Sequence, residues 1–334
     1  MSKTNEEKNG TVKVGGNKSA TRLSLTVLLI ISAVLTVIAA VSVYLFMSFI
    51  GYTKSDREYK TVYIRSGKEF VEQMRARIVG KEYCLLSSID IDAEEWNDTM
   101  SDTVLRGSIN GNGNVVSIRG TLEIPIFSRI EKGSAVSGVS FTNVALGGGK
   151  SVSKSILAQV NYGTVSNCSV LNATATVGEE QYEALFVAHN FGKIENCVAS
   201  GKFVAGSNCV AGRTAVGSVA AINYKGAEIN GCIVDIEYSD GFKAIENAYF
   251  NENEVNDKLG YAVGQNNGAV VGVYCLNAAR FGFSSDGKTV NGVRNLKNSE
   301  LTAQLVSSAG FLTDFWTVGE GQLPTLKVLM GVDA

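Results

Sequence analysis

Three cysteines, Cys168, Cys197 and Cys232, end three copies of one short segment. The copies read Ile156-Leu-Ala-Gln-Val-Asn-Tyr-Gly-Thr-Val-Ser-Asn-Cys168, then Leu185-Phe-Val-Ala-His-Asn-Phe-Gly-Lys-Ile-Glu-Asn-Cys197. The third is Ser218-Val-Ala-Ala-Ile-Asn-Tyr-Lys-Gly-Ala-Glu-Ile-Asn-Gly-Cys232, with one extra residue at its turn. Thiols can cross-link, bind zinc or simply fill space. Residues at one repeat position stack about 4.8 Å apart with parallel Cβ vectors, whereas a disulfide needs converging vectors and Cβ atoms about 3.8 Å apart. No Cys-x-x-Cys pair provides zinc spacing. The spacing therefore predicts a ladder of free buried thiols acting as small hydrophobes. A disulfide among Cys84, Cys209 and Cys275 is the second reading, and no metal or other cofactor is expected.

Other columns of the repeat carry chemistry too. Asn161, Asn190, Asn223 and Asn266 share a turn position, where Asn tolerates left-handed backbone and can ladder its amides from copy to copy. A polar stripe that binds glycan is the functional alternative. Tyr162, Phe191 and Tyr224 follow them and should stack: exposed, they offer a sugar-stacking platform; buried, they are core. The single histidine, His189, takes the place of Val160 and Ile222, and the adjacent copies provide neither nucleophile nor acid beside it. Glu195 and Glu228 are not paired in the way glycoside hydrolysis requires. No catalytic residue is nominated. Acids collect instead in an insertion, 235–259, with Tyr238, Phe242, Tyr249, Phe250, Glu252 and Glu254 as its candidate contact residues. The Asn251-Glu-Asn-Glu254 spacing matches no calcium loop.

The elements that position these columns follow from the repeat itself. An apolar strand, an Asn-aromatic-Gly turn and a second apolar strand, reiterated, predict a right-handed parallel β-helix, an all-β solenoid. Aligned on the cysteine position, copies fall at 118, 139, 168, 197, 232 and near 273, so growth occurs in loops while the strand pair is kept. Before them, Thr61-Val-Tyr-Ile-Arg65 alternates as a strand. Ser66-Gly-Lys-Glu69 reads as a capping box opening an amphipathic helix with Phe70, Met74 and Ile78 on one face, suited to cover the solenoid's raw end. Leu85-Leu-Ser-Ser-Ile-Asp-Ile-Asp92 reads as the opening strand, and Asn110-Gly-Asn-Gly113 as a tight turn with positive φ between two strands.

The Asn110-Gly-Asn-Gly113 turn, the Asn-x-Gly-x-Ile-x-Asn-Cys copies and the closing Phe311-Leu-Thr-Asp-Phe-Trp316 and Gln322-Leu-Pro-Thr-Leu326 resemble bacterial surface proteins carrying the GLUG-motif repeat, over roughly residues 60–330. The name-giving Gly-Leu-Val-Gly is eroded here to Ala158-Gln-Val-Asn161 and Val187-Ala-His-Asn190. The resemblance implies a β-helical ectodomain on a bacterium without an outer membrane. It specifies architecture rather than activity: such repeats sit on large cell-surface proteins, among them some surface peptidases whose catalytic parts lie elsewhere.

Of the 334 residues 45% are hydrophobic and 19% charged, with 36 Gly against 2 Pro, as many tight turns require. A net charge of −2 gives no electrostatic case for nucleic acid. No charge interrupts 24–53, longer than the roughly 20 apolar residues of a membrane span and too long for a signal peptide's apolar core. Lys3, Lys8, Lys13, Lys18 and Arg22 precede it, which predicts a cytoplasmic N-terminus and an exterior C-terminal domain. Ser32, Thr36 and Ala40 form a small-residue stripe suited to another membrane helix. The expected organisation is a cytoplasmic basic tail (1–22) and a membrane anchor in the bilayer (23–52). A linker, capping helix and first strand (53–104) lead to the solenoid repeats (105–295) and a C-terminal cap (296–334). The expected role is a non-enzymatic surface module, for adhesion or scaffolding, that engages a cell-surface glycan or protein. The alternative is a structural subunit of a membrane-embedded envelope assembly, with copies of itself or a membrane partner. A carbohydrate-active enzyme ranks third.

Overall fold

The computed structural model describes residues 61–76, 79–100, 102–147, 151–178, 182–207, 209, 214–242, 258–276 and 292–329. The basic tail and apolar run lie outside this set. Among the described residues no helix is long and apolar enough to cross a membrane. All of them belong to one compact unit, Tyr59–Ala334.

Short strands pair in parallel with the strands one repeat earlier and one repeat later, building four sheets of eight, ten, six and four strands. The repeat that ends at Cys197 shows the pattern. Tyr182–Ala184 joins the four-stranded sheet, Val187–Asn190 the six-stranded, Lys193–Glu195 the eight-stranded and Val198–Ala205 the ten-stranded. Neighbouring repeats add their strands in the same order, the pairing a β-solenoid requires. Each inward column is chemically uniform. Ile109, Val136, Val165, Ile194, Ile229 and Val270 hold one register position and are all buried. β-Branched side chains suit this stacking, being stiff at χ1 and packing well on a pleated surface.

The cysteine column behaves as predicted. Cys168, Cys197 and Cys232 are buried, and none of the six cysteines is in a disulfide. Burial, with hydrogen bonds to the thiols on either side, holds the Cys197 thiol well above its ordinary pKa. The residue just before this column is Gly138, Asn167, Asn196, Gly231 or Gly272, each with positive φ between 48° and 64°. Only Gly, and Asn at small cost, adopts that backbone readily, so the corner fixes its own residue type.

Four local readings change. The copy placed at Ile118 is out of register: Ser140 pairs with Val115, so Asn114 is the counterpart of Val139. Asn112 and Gly113 do take positive φ (50° and 77°), but they turn a corner rather than a hairpin. Ser108–Asn110 belongs to the eight-stranded sheet and Val115–Arg119 to the ten-stranded one, because both already pair with parallel neighbours. Residues 85–92 likewise split into Glu82–Leu85 and Ile89–Asp92 in different sheets. Ser87 Oγ donates to Arg65 O (2.8 Å) and Ser88 Oγ accepts from Val115 N (3.0 Å) at the corner between them. Fourth, a second helix, Ala93–Thr99, follows, capped by Asp92.

The first helix runs Gly67–Arg75 and buries Phe70, Val71 and Met74. Phe70 stacks on Trp96 at 6.0 Å, so both helices join the main core. Ser66 Oγ accepts from Glu69 N, but Glu69 Oε2 reaches back to Arg65 N (2.7 Å), one residue beyond the box position. Ile78 lies outside the described residues. At the other terminus, Leu301, Val306, Phe311 and Trp316 pack on Val198, Ile233 and Tyr274 of the ten-stranded sheet. Trp316 Nε1 donates to Asn167 (3.3 Å) and Leu329 N to Asn112 O (2.8 Å). The segment therefore touches repeats from the last to the first.

Candidate functional site

The six-stranded sheet carries the site. Within it Asn161 pairs with Asn190, Asn190 with Asn223 and Asn223 with Asn266. Asn161 Nδ2 donates to Asn190 Oδ1 at 2.9 Å, Asn190 to Asn223 at 2.8 Å, and Asn223 to Asn266 at 2.8 Å. Asn161, Asn190 and Asn223 are fully buried. Where the turn has standard length the same Oδ1 also accepts from the amide two residues on: Gly163 (3.0 Å), Gly192 (3.3 Å) and Gly268 (3.2 Å). The asparagines are thus an internal ladder and not an external glycan stripe. Burial makes each amide costly to leave unpaired, and the ladder pairs them. Their glycines are required by close approach: a Cβ on Gly163 would meet Ser134 O at 2.3 Å, and one on Gly192 would meet Gly163 O at 2.2 Å.

The next residue of each turn points outward. Tyr162 and Phe191 stack with centroids 5.0 Å apart and planes at 20°; Phe191 and Tyr224 stack at 4.0 Å and 12°. Tyr162 is 43% exposed and Phe191 38%. The aromatic column is therefore a surface ladder, the exposed alternative of the two the sequence left open. Its rigidity comes from beneath, since the asparagine ladder fixes the turn that carries each ring.

Beside the rings lies the column Arg129, Val160, His189, Ile222 and Gln265. His189 Nε2 is 2.8 Å from Ser153 Oγ, and Nδ1 is 3.2 Å from Tyr224 Oη. Tyr182 packs on the imidazole at 5.2 Å. Ser153 lies in the four-stranded sheet, outside the aligned copies, which is why sequence reasoning left the histidine without a partner. Burial lowers the His189 pKa, which keeps the ring neutral. Burial raises that of Tyr224, with the Tyr182 and Tyr162 hydroxyls contributing. The cluster is thus a set of uncharged phenol, hydroxyl and imidazole groups: it can hydrogen-bond and stack. A serine–imidazole pair is also the start of nucleophilic chemistry, but that chemistry needs donors for the developing oxyanion, and Ser153 is only 5% exposed.

The insertion contributes less than expected. Phe242 is fully buried, and Tyr238 packs among Phe203, Phe242 and Tyr261 with its hydroxyl donating to Gly260 O (2.8 Å). Phe242 is a core residue, which removes it from a contact surface, whereas Tyr238, at the end of the strand Ile233–Tyr238, is half-buried against that core. Tyr249, Phe250, Glu252 and Glu254 lie outside the described residues. Elsewhere, an acidic cleft holds Asp92, Glu94, Asp98 and Glu123 with Arg119. Asp92 is committed to its helix cap, and Asn97, also in the lining, to Thr121 O and Glu123 N. No metal-binding cluster occurs among the described residues.

One buried acid went unnoticed in the sequence. Glu183 is fully buried in the four-stranded sheet, in register with Lys154, Val216 and Leu259, and neither carboxyl oxygen has a hydrogen-bond partner. Burial pushes its pKa up to about 8, opposed by the attraction of Lys154. No signal in the repeat marks it.

No known protein family, curated protein or solved structure matches this chain.

Proposed function

We propose that the chain is a membrane-anchored surface module whose residues 23–52 lie in the bilayer and whose exterior part is a right-handed parallel β-helix. Its role is non-enzymatic: it binds a cell-surface glycan or protein through the outer face of the six-stranded sheet. Kinship with GLUG-repeat surface proteins is part of the same proposal. One observation carries it, the aromatic stack of Tyr162, Phe191 and Tyr224, in which Tyr162 and Phe191 are exposed and Tyr224 is half-buried. Folding buries apolar surface wherever it can, and a contiguous exposed apolar patch is a mark of a contact site. Rings held outward by a buried amide ladder are preorganised, so ordering them costs a partner little. The insertion 235–259 becomes the second choice, since of its two described aromatics Phe242 is core and Tyr238 is half-buried.

The test uses the full-length protein in mild detergent, presented to a glycan array, to insoluble cell wall and to a solubilised membrane extract. Wild type is compared with Phe191→Ser and with a variant shortened only within 243–257. Saturable binding lost in Phe191→Ser and kept in the shortened form supports the ladder as the site. The opposite pattern moves the site to the insertion. Stoichiometric membrane partners insensitive to both changes would replace this reading with the envelope-assembly one, and turnover of a polysaccharide would revive the enzyme reading.

A further inference from the structure

His189 carries the only imidazole of the chain, and the fold places on it a phenol that the repeat hides. In its own copy the aromatic position is Phe191; the hydroxyl comes from Tyr224, one copy on, with Oη 3.2 Å from Nδ1. The other ring nitrogen, Nε2, is 2.8 Å from Ser153 Oγ. A neutral imidazole offers one N–H and one lone pair, and the hydrogen bond each nitrogen makes sets the tautomer. A phenol is a more acidic donor than a serine hydroxyl, so Tyr224 donates to Nδ1 and Nε2–H donates to Ser153.

This geometry meets the main requirement for taking an electron from tyrosine. A phenol that gives up an electron becomes a strong acid, and the reaction is fast only where a base is positioned to receive the hydroxyl proton. Burial lowers the His189 pKa from 6.5, so at neutral pH the lone pair is available. Burial raises the Tyr224 pKa, so the proton stays on oxygen until the electron leaves. The ionisable groups facing the imidazole are themselves phenols, Tyr182 from the four-stranded sheet at 5.2 Å and Tyr224. Arg129, two places along the column, is paired with Glu131 at 2.9 Å. Lys154 and Glu183 adjoin Ser153 and Tyr182, and strand alternation turns them to the opposite face. Tyr238, by contrast, donates to Gly260 O, a carbonyl that cannot take the proton.

We propose that Tyr224 is a one-electron oxidation site, with His189 as the positioned base that receives its proton. An outer-sphere one-electron oxidant gains one electron from the Tyr224 ring. The Oη–H bond breaks, an Nδ1–H bond forms on His189, and a neutral phenoxyl radical remains beside an imidazolium. Re-reduction by one electron returns the proton. The site goes beyond the binding reading and stands whichever ligand the aromatic ladder takes.

The full-length protein in detergent is mixed with ruthenium tris-bipyridine, which a laser flash photo-oxidises, and phenoxyl formation is followed by transient absorption. The fast phase should disappear in Tyr224→Phe. In His189→Asn, whose amide can accept the hydroxyl hydrogen bond but not the proton, it should slow about a hundredfold, the low end of what a positioned base contributes. Wild type should hold its rate from about pH 8 down to 6.5 and slow at lower pH, as the imidazole is protonated. A fast phase that survives Tyr224→Phe, or that keeps its rate in His189→Asn, overturns the proposal. If His189→Asn melts lower than wild type, the wild-type pH profile decides, and a rate that stays flat down to about pH 4 overturns the proposal equally.

Discussion

Replacing Glu183 by Gln should stabilise the protein at neutral pH. The carboxyl is fully buried, makes no hydrogen bond, and has its pKa moved from 4.5 to about 8 by burial against the attraction of Lys154. The folded pKa lies above the unfolded one. The group's contribution to stability is therefore complete below pH 4.5 and is lost as pH rises through 8, because the unfolded chain releases a proton that the folded chain retains. At about 1.4 kcal/mol per pH unit the loss reaches roughly 5 kcal/mol over the window, and ~3 kcal/mol of it is present at pH 7. Gln copies the shape of the neutral acid and does not titrate, so Glu183→Gln should flatten the profile. The gain over wild type should be near zero at pH 4.5 and largest above pH 8. Lys154→Met removes the one opposing attraction and should extend the wild-type loss to higher pH. Urea unfolding of the full chain in non-ionic detergent from pH 4.5 to 9, followed by Trp96 and Trp316, both fully buried, gives these curves. Wild-type and Glu183→Gln stabilities that run parallel with pH within about 0.5 kcal/mol would refute the reasoning, since they would mean the folded carboxyl is already ionised.

The remaining predictions concern the ladders. Asn190→Ala should cost about 2–4 kcal/mol in the same urea assay, since it strands the Asn161 amide donor and the Asn223 carbonyl in the interior; Asn161→Ala, at the ladder's end, should cost less. Gly192→Ala should lower the melting temperature more than Gly226→Ala: the first drives a Cβ to 2.2 Å from Gly163 O, while the second carries only the ~1 kcal/mol backbone cost of φ +88°. Cys168, Cys197 and Cys232, buried as thiols, should resist iodoacetamide in the native protein while the half-buried Cys84 and Cys209 react first, and all should label after unfolding. Intact mass and peptide mapping report both states.

The repeat made much of this architecture legible. Asn161, Asn190 and Asn223 recur because a buried amide must find a partner, and in a repeated chain the nearest partner is its own counterpart; the same logic stacked the cysteines as thiols. Gly138, Asn167, Asn196 and Gly231 announce the left-handed corner through residue type alone. What the sequence could not fix depends on surroundings. Whether Tyr162 and Phe191 are core or surface is decided by which side of the turn faces the interior, and both outcomes leave the same letters. Phe242 looks like a loop contact until folding buries it edge-on against Tyr238. Ser153 meets His189 across 36 residues and two sheets, a separation no periodicity records. Glu183 is one acid among 32 acidic residues in the chain; only burial, which removes the water that would hold its charge, sets it apart. Local backbone geometry and repeat position are written in the sequence, whereas exposure, proton affinity and the meeting of distant side chains arise when the strands are stacked and water is excluded between them.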